Sequence, residues 1–309
     1  MNTVFKIVLW NANGLNQRNL ELKTFLVNHN IDVMLISETH FTEKSFLKIY
    51  NYDIYITNHP DGKAHGGTYV IIKRSIKHRE IAHFKKDYLQ ATNVIIEDQN
   101  GPVVLSAINC PPKHSIKDME FTEFFKTLGN RFIAGGDYNA KHAWWGSRAS
   151  ISTPRGRQLF TAMQKDNLFS ISTGEPTYWP TDNNKLPDLI DFAIVKNIDQ
   201  KLFTVKSCYD LSSDHSPVII EINSKITSTS KTTLMYNIKT NWQMYKDYID
   251  NNLSCNVSLK TAEELENRIE EFNVLIHEAA AVSTPTMSSN TVVKDIPIYI
   301  KKMINQKRN

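Results

Sequence analysis

Phe132-Ile133-Ala134-Gly135-Gly136-Asp137-Tyr138-Asn139 is an apolar run that stops on a carboxylate and an amide. The run reads as a strand over Arg131–Gly135, because a short continuous apolar stretch bounded by Gly suits a strand covered on both faces. Asp137 and Asn139 lie two apart at its C-terminal end, so in an extended segment they point the same way. Placed like this, they can orient a water and a phosphate oxygen. The same four residues, Gly136 to Asn139, also suit an ordinary Gly-Asp-x-Asn turn.

Outward from this stretch, similar strands recur. Val4–Trp10, Val33–Ser37, Asp53–Thr57, Thr68–Lys73, Thr92–Glu97, Val103–Ile108, Leu189–Val195, Thr204–Cys208 and Val218–Ile222 are rich in Val, Ile, Phe and Tyr and are bounded by turn residues. Three helical patterns fit between them. One runs from about Asn16 to Asn28, one carries Phe121, Phe124, Phe125 and Leu128, and one follows Pro154-Arg155-Gly156 with Leu159, Phe160 and Met163. Many strands and few helices predict an α/β protein of two packed sheets flanked by helices, a four-layer sandwich, over residues 1–223.

Four more strand ends carry polar groups. They are Trp10-Asn11-Ala12-Asn13-Gly14, Leu35-Ile36-Ser37-Glu38-Thr39, Asp188-Leu189-Ile190-Asp191-Phe192 and Ser213-Asp214-His215-Ser216-Pro217. Each alone has a bland reading. Glu38 can emerge at a sheet rim, and His215 can be a satisfied loop histidine among ten. Together they place Asn, Glu, Asp and one His at five strand ends, with no Cys. Oxygen-rich, sulfur-free sites suit Mg²⁺ or Mn²⁺. A hard divalent ion, a carboxylate-positioned water and a His, its tautomer fixed by Asp191, make a phosphodiester-hydrolysis site.

Past residue 223 the character changes. Ser224–Thr233 is rich in Ser, Thr and Lys and reads as a linker. Residues 234–309 read as helical. Trp242, Tyr245 and Ile249 share a face, and Thr261 with Glu264 forms a capping box ahead of Leu265, Ile269, Phe272 and Ile276. Ile298–Asn309 is amphipathic and basic.

The 309 residues are 41% hydrophobic and 22% charged, which excludes wholesale disorder. A net charge of +4 permits a polyanionic partner without demanding one. No apolar run is long enough to span a membrane, and the N-terminus lacks the signs of a secretory leader. Cys110, Cys208 and Cys255 lack the spacing of a disulfide framework or zinc motif. The expectation is an intracellular, unsecreted protein with buried thiols.

The motifs carry a resemblance. Trp10-Asn11, Glu38-Thr39, Gly136-Asp137-Tyr138-Asn139, Asp191-Phe192 and Ser213-Asp214-His215 follow the order of the endonuclease/exonuclease/phosphatase family. Residues 4–222 look like its apurinic-endonuclease-like, DNase I-like branch. NANGL, SETHF, CPPKH, GGDYNAKH, PTYWP and SSDHSPV resemble the endonuclease of jockey-like non-LTR retrotransposon polyproteins. The last 85 residues resemble the connector ahead of the reverse transcriptase.

The resemblance implies roles. Glu38 would be the main Mg²⁺ (or Mn²⁺) ligand, supported by Asn11 and Asn13, with Asp214 beside the metal. Asp137 would activate water, and Asn139 would bind next to it. His215, held by Asp191, would stabilise the transition state. His40 stands where nuclease relatives place a Lys. Asn109-Cys110-Pro111 stands where the family has a Tyr before a small residue and Pro, so Asn109 takes the phosphate-contacting position. Trp144, Trp145, Arg148, Arg155 and Arg157 suit DNA contact, as do Trp179 and the Pro180–Pro187 segment with Lys185; at least one Trp is expected in the core.

The implied activity is a nick in double-stranded DNA that leaves a 3′-hydroxyl primer, with the element RNA as an indirect partner and the nucleus as the place of action. Two other functions remain open. One is a phosphatase, sphingomyelinase or deadenylase of the same fold. The other is a DNA-binding module without catalysis, motivated by Asn109.

Overall fold

The computed structural model describes residues 4–182, 184–228, 236, 238–253 and 261–285. The chain divides into two compact units, Met1–Lys231 and Thr232–Asn309.

The first unit holds two sheets. One has the order β12-β13-β1-β2-β4-β3, built from β1 (Phe5–Asn11), β2 (Val33–Ser37), β3 (Tyr52–Thr57), β4 (Thr68–Lys73), β12 (Phe203–Ser207) and β13 (Val218–Ile222). The other has the order β10-β11-β9-β8-β7-β5. Its strands are β5 (His78–Glu80), β7 (Leu89–Asp98), β8 (Gly101–Asn109), β9 (Phe132–Asp137), β10 (Phe169–Ile171) and β11 (Asp191–Lys196), with β6 (Phe84–Lys86) also paired to β7. The strands β5, β6 and β10 escape the sequence pattern. Each has three residues, too few to establish an alternation, and each is held by one longer neighbour.

Continuous apolar runs in the central strands leave residues for both faces. Leu9, Leu35 and Val70 meet Leu105, Ile133 and Ala193 between the sheets. On the outer face of the first sheet, Leu22, Phe25 and Leu26 of α1 (Asn19–Asn28) cover Val8, Trp10, Met34 and Ile36. On the outer face of the second, α2 (Asp118–Thr127) and α3 (Pro154–Lys165) bury Phe121, Phe124, Phe125, Leu159, Ala162 and Met163. The result is the four-layer α/β sandwich that the pattern predicts. Each fully buried large aliphatic or aromatic side chain contributes about 1.5–3 kcal/mol to holding these layers. Thr153 caps α3 by accepting from Gly156 N at 3.1 Å, with Pro154 in the first turn.

The decisive stretch shows why its glycines stand there. A Cβ on Gly135 would lie 2.4 Å from Leu9 Cδ2 of the opposing sheet. Gly136 has φ +148°, and a Cβ there would lie 2.1 Å from the Ile108 carbonyl oxygen. Only glycine lets β9 pack this tightly and still run on to Asp137.

The first residues of the expected linker are paired with the strands of the first unit. Ser224 is buried and donates to Asp98 Oδ2 at 3.0 Å. Ile226 bridges Asp98, Ser228 bridges Ile76, and Thr227 N donates to the Glu97 carbonyl at 2.8 Å. Backbone pairing fixes 224–228 against the strands despite a polar composition; 229–233 lie outside the described residues.

In the second unit, α4 (Trp242–Asn252) runs antiparallel to α5 (Ala262–Ser283). Asn241 N donates to the Ser283 carbonyl, and Tyr248 OH donates to Glu278 Oε2 at 3.2 Å. Thr261 accepts from Glu264 N at 3.1 Å, the N-cap half of the expected capping box. The expected apolar face does not match the buried one. Leu265, Ile269 and Phe272 are exposed, whereas Leu275, Ala279 and Ala280 are buried. Cys255 and Ile298–Asn309 lie outside the described residues. No helix among the described residues is long and apolar enough to cross a membrane.

Candidate active site

Strand direction gathers the polar ends. β1 and β2 are parallel with Asn11 opposite Ser37, and β8 and β9 are parallel with Asn109 opposite Asp137. β11 is antiparallel to β9 and begins with Asp191 opposite Asp137. β13 is antiparallel to β1, so His215 just before it arrives beside the end of β1. C-terminal ends of parallel strands and the starts of antiparallel ones thereby meet at one edge of the sandwich.

Asp137 is held from several sides. Its Oδ2 accepts from Asn11 Nδ2 and from Asn139 Nδ2, both at 2.8 Å, and its Oδ1 accepts from Asn139 N at 2.8 Å. Asn139 reaches back through a left-handed turn with φ 47°, so the pair converges by a turn and not by the extended spacing that sequence suggests. Asp191 Oδ2 meets His215 Nδ1 at 2.7 Å and also accepts from Thr177 Oγ1 at 2.7 Å. Ser213 Oγ donates to the Asn11 carbonyl at 2.9 Å and accepts from His215 N at 3.2 Å, tying β1 to the His215 loop.

A more open rim surrounds this group. Glu38 is half-buried just past β2, with its Oε2 3.6 Å from His40 Nε2. Asn13 Nδ2 donates to Asp214 Oδ1 at 3.1 Å, and Asn13 N donates to Asn11 Oδ1 at 2.9 Å. Arg18 donates to the Gly14 carbonyl at 2.6 Å, to that of Asn13 at 3.0 Å and to that of Ser212. Among the described residues, eight non-glycines have positive φ, and the two that are not Asn are Glu38 (51°) and His40 (55°). Side chains other than Asn pay for that backbone, so the strain collects at this edge.

Charge is crowded here. Burial, then the Asp191 carboxylate, push Asp137 well above the usual carboxylate range; Glu38 adds to this and His215 opposes it. Burial disfavours a charged His215, but Asp191 outweighs it through charge and hydrogen bond, with Asp137 and Asp214 adding, and lifts the imidazole to about 9.

Residues 8–215 match the endonuclease/exonuclease/phosphatase family. The chain belongs to that family. It is 32% identical, over 98% of its length, to an RNA-directed DNA polymerase from mobile element jockey of Drosophila funebris. It is 31% identical, over 90% of its length, to a probable RNA-directed DNA polymerase from transposon BS of Drosophila melanogaster. It spans about a third of each of these relatives, 33% and 31%. In fold it is similar to the endonuclease domain of TRAS1, a telomere-specific non-LTR retrotransposon, with TM-score 0.59 and 19% identity over 71% of this chain and 98% of that one. It is likewise similar to an apurinic endonuclease from Leishmania major, with TM-score 0.58 and 14% identity over 71% of this chain and 87% of that one.

The family's name joins enzymes that act on phosphate esters, and the strand-end residues have the donor set for a divalent cation. Asp137, Asp191 and His215 bring ligand atoms within 4.8 Å of one another. Asp191 Oδ1 is buried with no hydrogen-bond partner. Glu38 adds to the carboxylate crowding around Asp137, and a cation held at the half-buried Glu38 relieves it, so the residues present fit a hard divalent ion.

Not every sequence-predicted residue joins this group. Arg155 is buried and donates to the carbonyls of Cys110 (2.9 Å), Pro111 (2.7 Å), Tyr138 and Asn139 (each 3.3 Å), and His114. It fastens the turns after β8 and β9 together and is not available to DNA. Trp145 is core, with Nε1 donating to the Ala140 carbonyl at 3.2 Å, whereas Trp144 is exposed. Arg148, Arg157 and Lys185 are exposed. Lys185 lies in a loop closed by the Tyr178–Asp188 bridge. Trp179 sits at the site's flank, its N donating to the Asp214 carbonyl and its Nε1 to Ser216 Oγ at 2.9 Å. Asn109 is fully buried beside Asp137, its Nδ2 donating to Gln90 Oε1 at 3.1 Å.

Sequence reading passed over Thr177, Ser213 and Arg18. Thr177 and Ser213 stand inside quoted motifs, which was the available signal. Arg18 had none, because its partners are backbone carbonyls, two of them four and five residues back and one in the Ser212 loop 194 residues on.

Proposed function

We propose that the chain is the endonuclease segment of a non-LTR retrotransposon polyprotein, and that it nicks double-stranded DNA in a Mg²⁺-dependent reaction. The observation that carries this is the buried Asn11–Asp137–Asn139 group set beside the Asp191–His215 pair at one edge of two sheets. The likeness to jockey-type polyproteins supports DNA as the substrate; the nucleus as the place of action follows from that substrate.

Glu38 would hold the cation, with Asp214 and the amides of Asn11 and Asn13 around it. When bound, the ion supplies charge neutralisation at the scissile phosphate and relieves the carboxylate crowding. Mn²⁺ suits the same donors. Asp137, once ionised, accepts a proton from the attacking water while Asn11 and Asn139 fix its orientation. His215, cationic at neutral pH, faces the charge that builds on phosphorus, and Asp191 holds its ring. The water oxygen bonds to phosphorus as the bond to the 3′-oxygen breaks, and the departing oxygen takes a proton from solvent, leaving a 3′-hydroxyl and a 5′-phosphate. A reverse transcriptase in the same polyprotein would extend that hydroxyl with the element RNA as template.

A DNA-binding module without turnover is the second reading. Asn109, buried against Gln90 and offering no hydroxyl, favours it. The separating experiment is nicking of a supercoiled plasmid with Mg²⁺ or EDTA, followed by polymerase extension of the nick. Extendable nicks only with Mg²⁺ support the endonuclease. Binding without nicks supports the second reading, and 3′-phosphate ends contradict the cleavage chemistry.

A further inference from the structure

The segment between β3 and β4 carries a second cluster of ligating side chains, made of other residues than the group around Asp137 and next to its rim, where Gly66 accepts from His40 N at 3.0 Å. His59 Nδ1 lies 2.8 Å from Asp61 Oδ1, and His65 Nε2 lies 2.8 Å from Asp61 Oδ2. The two imidazoles face each other with centroids 3.9 Å apart. One ligand atom from each of the three residues lies within 4.8 Å of the others. Four-coordinate zinc binds nitrogen and oxygen at about 2.0–2.2 Å, which sets tetrahedral ligand atoms about 3.3 Å apart.

The loop is already closed around these groups. Asp61 Oδ1 accepts from Lys63 N at 2.9 Å, Gly62 N donates to the His59 carbonyl at 3.1 Å, and His65 N donates to the Lys63 carbonyl at 2.9 Å. His59 is buried and His65 is half exposed, so the cluster has a fixed floor and an open side. Hydrogen bonds from His65 and from the Lys63 backbone hold the Asp61 carboxyl well below the usual carboxylate range, so it is ionised, as a ligand must be.

We propose that His59, Asp61 and His65 form a second metal site, which takes a transition-metal ion of the zinc type. Two imidazoles with one carboxylate prefer such an ion over Mg²⁺, whereas the strand-end group, richer in oxygen, prefers the hard ion. On binding, a neutral imidazole turns its lone pair to the ion by moving its proton to the other ring nitrogen, and an imidazolium releases its proton to water. Binding therefore releases protons, and acid competes with the ion. The fourth position is left to water or another exchangeable ligand.

The full chain is kept in saturating Mg²⁺, which occupies the strand-end group, and is titrated with Zn²⁺ by calorimetry and with Co²⁺ by visible absorption. The parent and Glu38→Ala should each bind one equivalent of Zn²⁺, and Co²⁺ should give the intense spectrum of four-coordination. Asp61→Ala and His65→Ala should weaken both at least about tenfold; half-exposed His65 can be truncated without opening the core. Zn²⁺ binding that survives unchanged in His65→Ala, is absent from the parent, or is lost in Glu38→Ala overturns the assignment.

Discussion

Asn11, Asp137, Asp191 and His215 are almost wholly buried, whereas Glu38, His40, Asn13 and Asp214 form a partly exposed rim around them. In the buried half each side chain is tied to at least one other by a short bond, and strands of both sheets set their positions. In the rim, Asn13, Glu38 and His40 project from left-handed residues just past the ends of β1 and β2, Asp214 comes from the loop before β13, and Glu38 meets His40 only at 3.6 Å. Under the proposed function, the contrast separates two tasks. Groups that move a proton or face developing charge gain from a fixed, dry setting. Groups that exchange an ion with solvent need an open side.

That division can be broken at the buried half first. Asp137→Asn removes the base and turns an amide toward the donors of Asn11 and Asn139. Nicking should fall by about 10²- to 10⁴-fold with the circular dichroism unchanged. A rate within a few-fold of the parent would show that Asp137 is not the base.

Next is the Asp191–His215 pair. Losses in Asp191→Asn, His215→Ala and the double variant should be non-additive, because the two act as a unit. In EDTA, the His215 imidazole should titrate by NMR near 9 in the parent and lower in Asp191→Asn. Its folded pKa is raised above the ordinary value of about 6.5, so its stabilisation is full below that pH and disappears as pH rises through about 9. Thermal melts across that window should show the fall in the parent and a flatter profile in His215→Gln. Independent losses and an unshifted imidazole would separate the pair.

Arg155 sharpens the contrast from outside the site. Arg155→Ala should destabilise the first unit by at least about 1.5–3 kcal/mol, the worth of one charge-assisted bond. The salt dependence of DNA binding should stay as it is, whereas Arg148→Ala should lessen that slope by about one charge. A flattened slope in a stable Arg155→Ala would restore it to the DNA-facing surface. The smallest effect belongs to Thr177→Val. Removing one of two donors to Asp191 Oδ2 costs about 1 kcal/mol, so nicking should slow by about fivefold; no change at all would make that bond irrelevant to His215.

The strand ends were legible because apolar runs stopping on Asn, Glu or Asp are uncommon in a sheet buried on both faces. Phe132 to Asp137 and Val33 to Glu38 announce themselves this way. The pairing of Asp191 with Asp137 was not legible, since it is a register between distant strands. Arg155 misled because a long cation following an exposed loop usually stays in water; only the fold brings five carbonyls around it. The strands β5 and β6 gave no signal because neighbours, not their own residues, hold them. The early part of 224–233 looked unstructured because backbone pairing to β7 leaves no mark on composition.

The most direct test of the two-part site is the Mg²⁺ dependence of plasmid nicking by Glu38→Ala and Asp137→Asn, each beside the parent. Glu38→Ala should move the half-saturating Mg²⁺ concentration upward by at least about tenfold and recover part of the rate at high Mg²⁺. Asp137→Asn should keep the parent's half-saturation and lower only the plateau. A shifted midpoint in Asp137→Asn together with an unshifted one in Glu38→Ala would contradict the assignment of metal to the rim and proton transfer to the buried half.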